Sequence, residues 1–123
     1  MQSEPLMDIE PNNPLEILVG REMSAVSFVR DYLQLHFDGP RLTLITDPVV
    51  QVDNVYYRAG MPGYRDALVG LVSKTVRRTS IVEGEAITLE YDDRTRISIS
   101  LRSNDYQSAE AAVFDTGTST WSW

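Results

Sequence analysis

The chain has 123 residues with 42% apolar and 24% charged side chains, values ordinary for one globular domain with a core of its own and far from those of a disordered chain. With no cysteine it has neither a disulfide framework nor a thiolate metal site, and a formal charge of -7 with pI near 4.5 argues against binding a phosphate backbone. That charge favours solubility and a basic partner.

Met1 to Glu10 is acidic and has neither a basic leader nor an apolar run, so it does not read as a secretory signal. No apolar stretch approaches the roughly 20 residues of a membrane span, and the expected setting is soluble and cytoplasmic. Residues 1–13, with Pro5 and Pro11, read as an extended arm. Asn13-Pro14 is suited to capping a short helical turn over Leu15 to Val19, which Gly20 would end. Met23 to Val29 is β-branched and aromatic enough for a strand. Asp31 begins a turn, after which Leu33, Leu35 and Phe37 alternate with Gln34, His36 and Asp38, the pattern of a half-buried strand. Asp38-Gly39 signals a hairpin, and Leu42 and Leu44 continue the apolar face on the return strand.

Thr46 to Gly63 is rich in turn dipeptides, with Val49 to Val52 as one more short strand. Tyr64, Leu68 and Leu71 share one face of a helix of about ten residues that starts near Pro62 and ends around Val72 or Ser73. A second meander is expected over Lys74 to Ser80, Ala86 to Tyr91 and Arg96 to Leu101. Ile87, Leu89, Tyr91, Ile97, Ile99 and Leu101 would point inward, and Thr88, Glu90, Ser98, Ser100 and Arg102 outward. The tail ends in Trp121-Ser122-Trp123, whose alternation puts both indoles on one side of a final edge strand packed on the core. A homodimer contact through Trp121 and Trp123 is the competing reading.

One pattern occurs twice. Leu18-Val19-Gly20, Ala25-Val26, Leu33 to Gly39 and Leu42-Thr43-Leu44 are answered by Leu68-Val69-Gly70, Thr75-Val76, Ile87 to Asp93 and Ile97-Ser98-Ile99. The spacing is fifty at Leu18 and Leu68 and fifty-four at Leu35 and Leu89, the extra residues falling around Ile81 to Glu85. Length changes confined to turns are what a duplicated β unit would show. The expected fold is therefore α+β, mostly antiparallel β, with two pseudo-repeated three-stranded meanders and one helix between them. The whole of 1–123 reads as a single domain: arm 1–13, first unit 14–46, connector 47–63, helix plus second unit 64–103, and tail 104–123 packed on the core.

Signals for chemistry are few. His36 is the only histidine, and as a general base it has Asp38 as its one assignable partner, although its place on an alternating strand suits a surface residue as well. Asp38 and Asp92-Asp93 sit where hairpins call for Asp, and Glu83-Gly84-Glu85 reads as a polar hairpin tip. No cofactor and no metal site is called for. Lys74, Arg77 and Arg78 form the one basic patch, better suited to a solvated edge or an acidic contact than to nucleic acid. Tyr56, Tyr57, Arg58 and Tyr64 in and after the connector are the candidate binding residues, since Tyr and Arg in loops on a rigid scaffold are the usual interface anchors.

Val19-Gly20 with Val26, then Tyr32 to Leu42, Pro62 to Val72, Leu89 to Asp93, Ala109 to Phe114 and the Trp-rich end together resemble a family of small uncharacterised bacterial β-rich proteins, immunity-protein-like in character. The resemblance covers Leu15 to Trp123 and implies the fold more than an activity. The reading it favours is a non-enzymatic acidic protein-binding domain, such as an immunity-type inhibitor meeting a basic toxin domain. The alternatives are a small-ligand or enzymatic domain using His36, or a homodimeric structural subunit.

Overall fold

The computed structural model describes residues 13–106 and 109–123. Among the described residues there are ten strands and one short α-helix, in chain order β1 (Ala25–Val29), β2 (Tyr32–His36), β3 (Arg41–Leu44), β4 (Val49–Val52), β5 (Val55–Tyr57), α1 (Tyr64–Val69), β6 (Val76–Val82), β7 (Ala86–Tyr91), β8 (Arg96–Ser100), β9 (Ala112–Asp115) and β10 (Thr120–Ser122). The fold is mostly antiparallel β. Of the arm, residues 1–12 fall outside the described residues.

Local chemistry accounts for the turns. Asn13 accepts from the Leu15 N–H at 3.1 Å, and Pro14 opens a 3-10 turn over Pro14–Leu18. Asp38 and Gly39 both take positive φ, closing β2 on β3 with a Phe37 N–H to Pro40 carbonyl bond of 2.9 Å. The matching β7–β8 connection is one residue longer. There Arg94 takes φ 72, and the Tyr91 N–H bonds to the Thr95 carbonyl at 2.8 Å. Glu83, Gly84 and Glu85 form the tip between β6 and β7, as their composition suggests.

α1 is shorter than the apolar spacing predicts. Gly63 precedes it in a left-handed conformation with no side-chain cap, and after Val69 the chain tightens into i to i+3 bonds from Leu71 and Val72. Gly70 and the β-branched Val69 and Val72 supply little helix propensity to oppose that tightening. β1 also starts later than expected, at Ala25. Met23 belongs instead to a short antiparallel contact with the second half, where Glu22 bridges Thr75.

The strands form two five-stranded sheets, ordered β1-β2-β3-β9-β10 and β5-β4-β8-β7-β6. Each sheet thus contains one local meander plus a hairpin from elsewhere in the chain. Hairpin β4–β5 leaves the first meander and pairs with β8, Val50 lying opposite Ile97. Hairpin β9–β10 leaves the second meander and pairs with β3, Phe114 lying opposite Leu42. Sequence alternation located the meanders but not this exchange, because cross-sheet pairing has no local signature.

The inward faces supply one continuous core. Leu35, Phe37, Leu42, Val50, Leu68, Ile87, Leu89, Tyr91, Ile97, Ile99 and Phe114 are all fully buried in a single cluster. Each such side chain contributes about 1.5–3 kcal/mol relative to exposure. The outward rows are polar: in the second sheet Arg78, Glu90, Arg96, Gln51 and Tyr56 lie side by side across the strands. Glu90 is buried to 8% exposure because Arg78 and Arg96 flank its carboxylate at 3.5 and 3.7 Å. No helix among the described residues is long and apolar enough to cross a membrane.

Candidate functional site

A concavity of about 530 Å³ lies where the β1–β2 turn faces the segment that leads into α1. Its volume falls within the range of small-ligand clefts. Two features of local folding build it. Arg30 and Asp31 form a tight turn, with Val29 paired to Tyr32, which leaves Phe28 and Tyr32 on the rim at 37% and 38% exposure. On the far side, Ala59 and Gly60 sit in a turn closed by the Met61 N–H to Arg58 carbonyl bond of 3.0 Å, so that the next residues, Tyr64 and Arg65, complete the wall.

Tyr64 and Arg65 divide the work of that wall. The Tyr64 ring is buried, and its hydroxyl donates to the Pro48 carbonyl at 2.7 Å. Burial raises the Tyr64 pKa well above the ordinary phenol value, and the nearby Asp47 charge adds to the effect, so the phenol stays a neutral donor. Arg65 is exposed, its guanidinium carbon 4.8 Å from the centroid of the Phe28 ring. Leu33 and Ile45 give the floor an apolar surface. A third, smaller concavity of about 270 Å³ adjoins this one through Gly60, Tyr64 and Arg65 and includes Met61.

A separate cleft of about 360 Å³ is lined by Val52, Tyr57, Gly63, Asp66, Lys74 and Thr95. Gly63 has φ 87, and a Cβ there would stand 3.0 Å from the Tyr57 ring, so its small size sets how closely the chain passes the tyrosine. At its edge Lys74 pairs with Asp93. Partial burial alone would raise the Asp93 carboxyl, but hydrogen bonds from Lys74 and Thr95, with the Lys74 charge, outweigh it and hold the group below its ordinary range.

The four candidate binding residues do not converge. Tyr56 and Tyr57 are neighbours on β5 and so face opposite sides of the sheet: Tyr56 stands outward at 52% exposure opposite Gln51, while Tyr57 is half-buried in the second cleft. Arg58 is exposed beyond the strand end, and of the four only Tyr64 lines the cleft beside the β1–β2 turn. Phe28, Tyr32 and Arg65 were missed as a group. Aromatic residues on either side of a turn were the signal available, but nothing local tells that the start of α1 comes to meet them.

His36 points outward from β2, half-buried, with Nε2 2.9 Å from the Ser27 hydroxyl, and lies outside these clefts. Asp38 occupies the turn with φ 55, its N–H donating to the Ser24 hydroxyl at 3.2 Å. Trp121 stacks on Phe114 with centroids 5.8 Å apart, and Trp123 packs half-buried against the core. Among the described residues no group of three or more His, Asp or Glu is placed to hold a metal ion. Comparison with protein-family models, with curated proteins and with solved structures finds no match to this chain.

Proposed function

We propose that the protein is a non-enzymatic binding domain whose partner is a basic protein, in the manner of immunity-type inhibitors of bacterial toxins. The observation that carries the reading is β5. This three-residue edge strand turns Tyr56 to one face at 52% exposure and Val55 to the other at 47%, with Met61 and Arg58 exposed just beyond it. A tyrosine, an arginine and flanking aliphatic side chains on an open sheet edge are what a partner strand or loop would bury. The net charge of -7 would speed encounter with a basic surface. Tyr56 rather than Tyr57 is the anchor under this reading, since the Tyr57 ring is already packed over Gly63.

The test is co-expression with the product of the adjoining gene, followed by calorimetric titration at low and high salt. The expected complex weakens with salt and loses about tenfold or more in affinity on Tyr56→Ala. A complex indifferent to both salt and Tyr56→Ala, or no complex, would overturn the proposal.

We further infer an α+β domain made by duplication. Support comes from matched registers: Leu35 lies opposite Leu42 as Leu89 lies opposite Ile97, and Val26 lies opposite Leu35 as Thr79 lies opposite Leu89. By strand register Thr79 takes the place opposite Leu89 that Val26 takes opposite Leu35, an offset of fifty-three where the sequence pattern pairs Val26 with Val76 at fifty. The same offset relates bonds between the halves. Gly20 N–H to Val76 carbonyl at 2.8 Å answers Ser73 N–H to Met23 carbonyl at 2.7 Å, and Val76 N–H to Arg21 carbonyl answers Met23 N–H to Lys74 carbonyl. Gly20 and Ser73 both take positive φ at this junction. In this reading the hairpins β4–β5 and β9–β10 are equivalents exchanged between the two units.

A further inference from the structure

We propose that the cleft between β5, α1 and the β7–β8 turn takes a lysine side chain of the basic partner, its ammonium held by Asp66 and its stem by the apolar wall. The proposal rests on the reading of β5 as a partner-binding edge and adds how one charged residue of that partner is held there.

An uncompensated charge leads to that residue. Two charged side chains line this cleft of about 360 Å³, and they are not equivalent. Lys74 is neutralised by its ion pair with Asp93. Asp66 is exposed, and its carboxylate makes no hydrogen bond or ion pair among the described residues. The Tyr57 hydroxyl likewise has no partner among them. One cleft therefore offers an open carboxylate and a phenol oxygen, acceptors suited to an ammonium, which carries three donors and no acceptor. The rest of the wall is apolar: Val52, Ala67 and the Tyr57 ring can cover an aliphatic stem, and Gly63 and Gly70 put no side chain in its way. A point-like ammonium on an unbranched stem suits a cleft of this size better than the wider, planar guanidinium. Position ties the cleft to the β5 surface. Tyr57 is the last residue of that strand, and Gly63 and Asp66 also line the concavity that includes Met61. A partner seated on Val55 and Met61 thus reaches Asp66 without leaving the surface.

The experiment has two arms. In the first, two-dimensional amide NMR follows titration of the full chain with the Nα-acetyl N-methylamides of lysine, norleucine and arginine and with 1,4-diaminobutane. Expected are saturable shifts confined to residues 52–57, 63–70, 74 and 95 with the lysine probe, and about tenfold weaker binding of the norleucine probe, which lacks only the ammonium. Asp66→Asn should erase that preference. Asp66 is exposed, so the change leaves the core intact, and the dispersion of the spectrum reports folding. No saturable shift with the lysine probe up to about 50 mM, or an unchanged preference in Asp66→Asn, would overturn the proposal. So would tighter binding of the arginine probe, or about tenfold tighter binding of diaminobutane, which marks a site for free diamines. In the second arm, calorimetry compares Asp66→Asn with Tyr56→Ala in the partner complex, and Asp66→Asn should weaken it about tenfold. A complex that needs Tyr56 but ignores Asp66→Asn overturns this proposal alone. Absence of any complex overturns the β5 reading and the partner's lysine with it, whatever the probes do.

Discussion

Phe114→Ala tests whether the C-terminal hairpin is integral to the core or an appendage to it. Phe114 is fully buried, lies opposite Leu42 on β3 and stacks on Trp121. Truncating a buried phenylalanine costs about 3–5 kcal/mol, and the lost ring pair accounts for about 0.5–1.5 kcal/mol beyond buried area. Set against a total stability of about 5–15 kcal/mol, that is a large fraction. With a urea slope of about 2 kcal/mol per M, the midpoint should fall by about 2 M. The chain provides its own local probe, because both tryptophans, Trp121 and Trp123, lie in or beside β10. Tryptophan fluorescence therefore follows hairpin docking, while far-ultraviolet circular dichroism follows both sheets. In the wild type and in Phe114→Ala the two transitions should coincide, and in the variant both should move together. A fluorescence midpoint that falls while the dichroism midpoint stays would refute the reasoning.

Further outcomes follow from single groups. Tyr64→Phe removes the donor to the buried Pro48 carbonyl and should cost about 1–3 kcal/mol, whereas Tyr91→Phe removes only a hydroxyl facing the Met23 thioether at 3.4 Å and should be within about 1 kcal/mol of neutral; urea titration of both compares them. Gly63→Ala should lower the thermal midpoint, since alanine is strained at φ 87 and its Cβ would press on the Tyr57 ring; an unchanged midpoint contradicts that packing. Asp93 has a folded pKa below its unfolded value of about 3.9, so its contribution is present above that value and lost as pH falls through the folded pKa. The stability difference between wild type and Asp93→Asn should accordingly shrink below about pH 4, and an increase there would reverse the assigned sign.

Much of the sheet structure was legible because a strand with one wet face writes its burial into every second residue. Leu33, Leu35 and Phe37, then Ile87, Leu89 and Tyr91, carry that pattern, and all six are buried. Asp38-Gly39 was readable for a related reason: the turn demands positive φ locally. β5 was harder, because three residues are too few for a period, and Tyr56 and Tyr57 read equally well as loop anchors. The length of α1 was overestimated because the apolar spacing of Tyr64, Leu68 and Leu71 survives the change from α-helical to tighter turns after Val69. The cleft beside the β1–β2 turn was not readable at all. Phe28 and Arg65 meet only after both sheets have closed, and cation–π contact leaves no spacing rule in a sequence.

The exchange of hairpins is the claim on which the description of the fold and its cleft most depends, and cross-strand nuclear Overhauser effects read it directly. The structure predicts contacts linking Leu42 to Phe114 and Val50 to Ile97. Contacts placing β4 beside β3 and β9 beside β8 instead would contradict it.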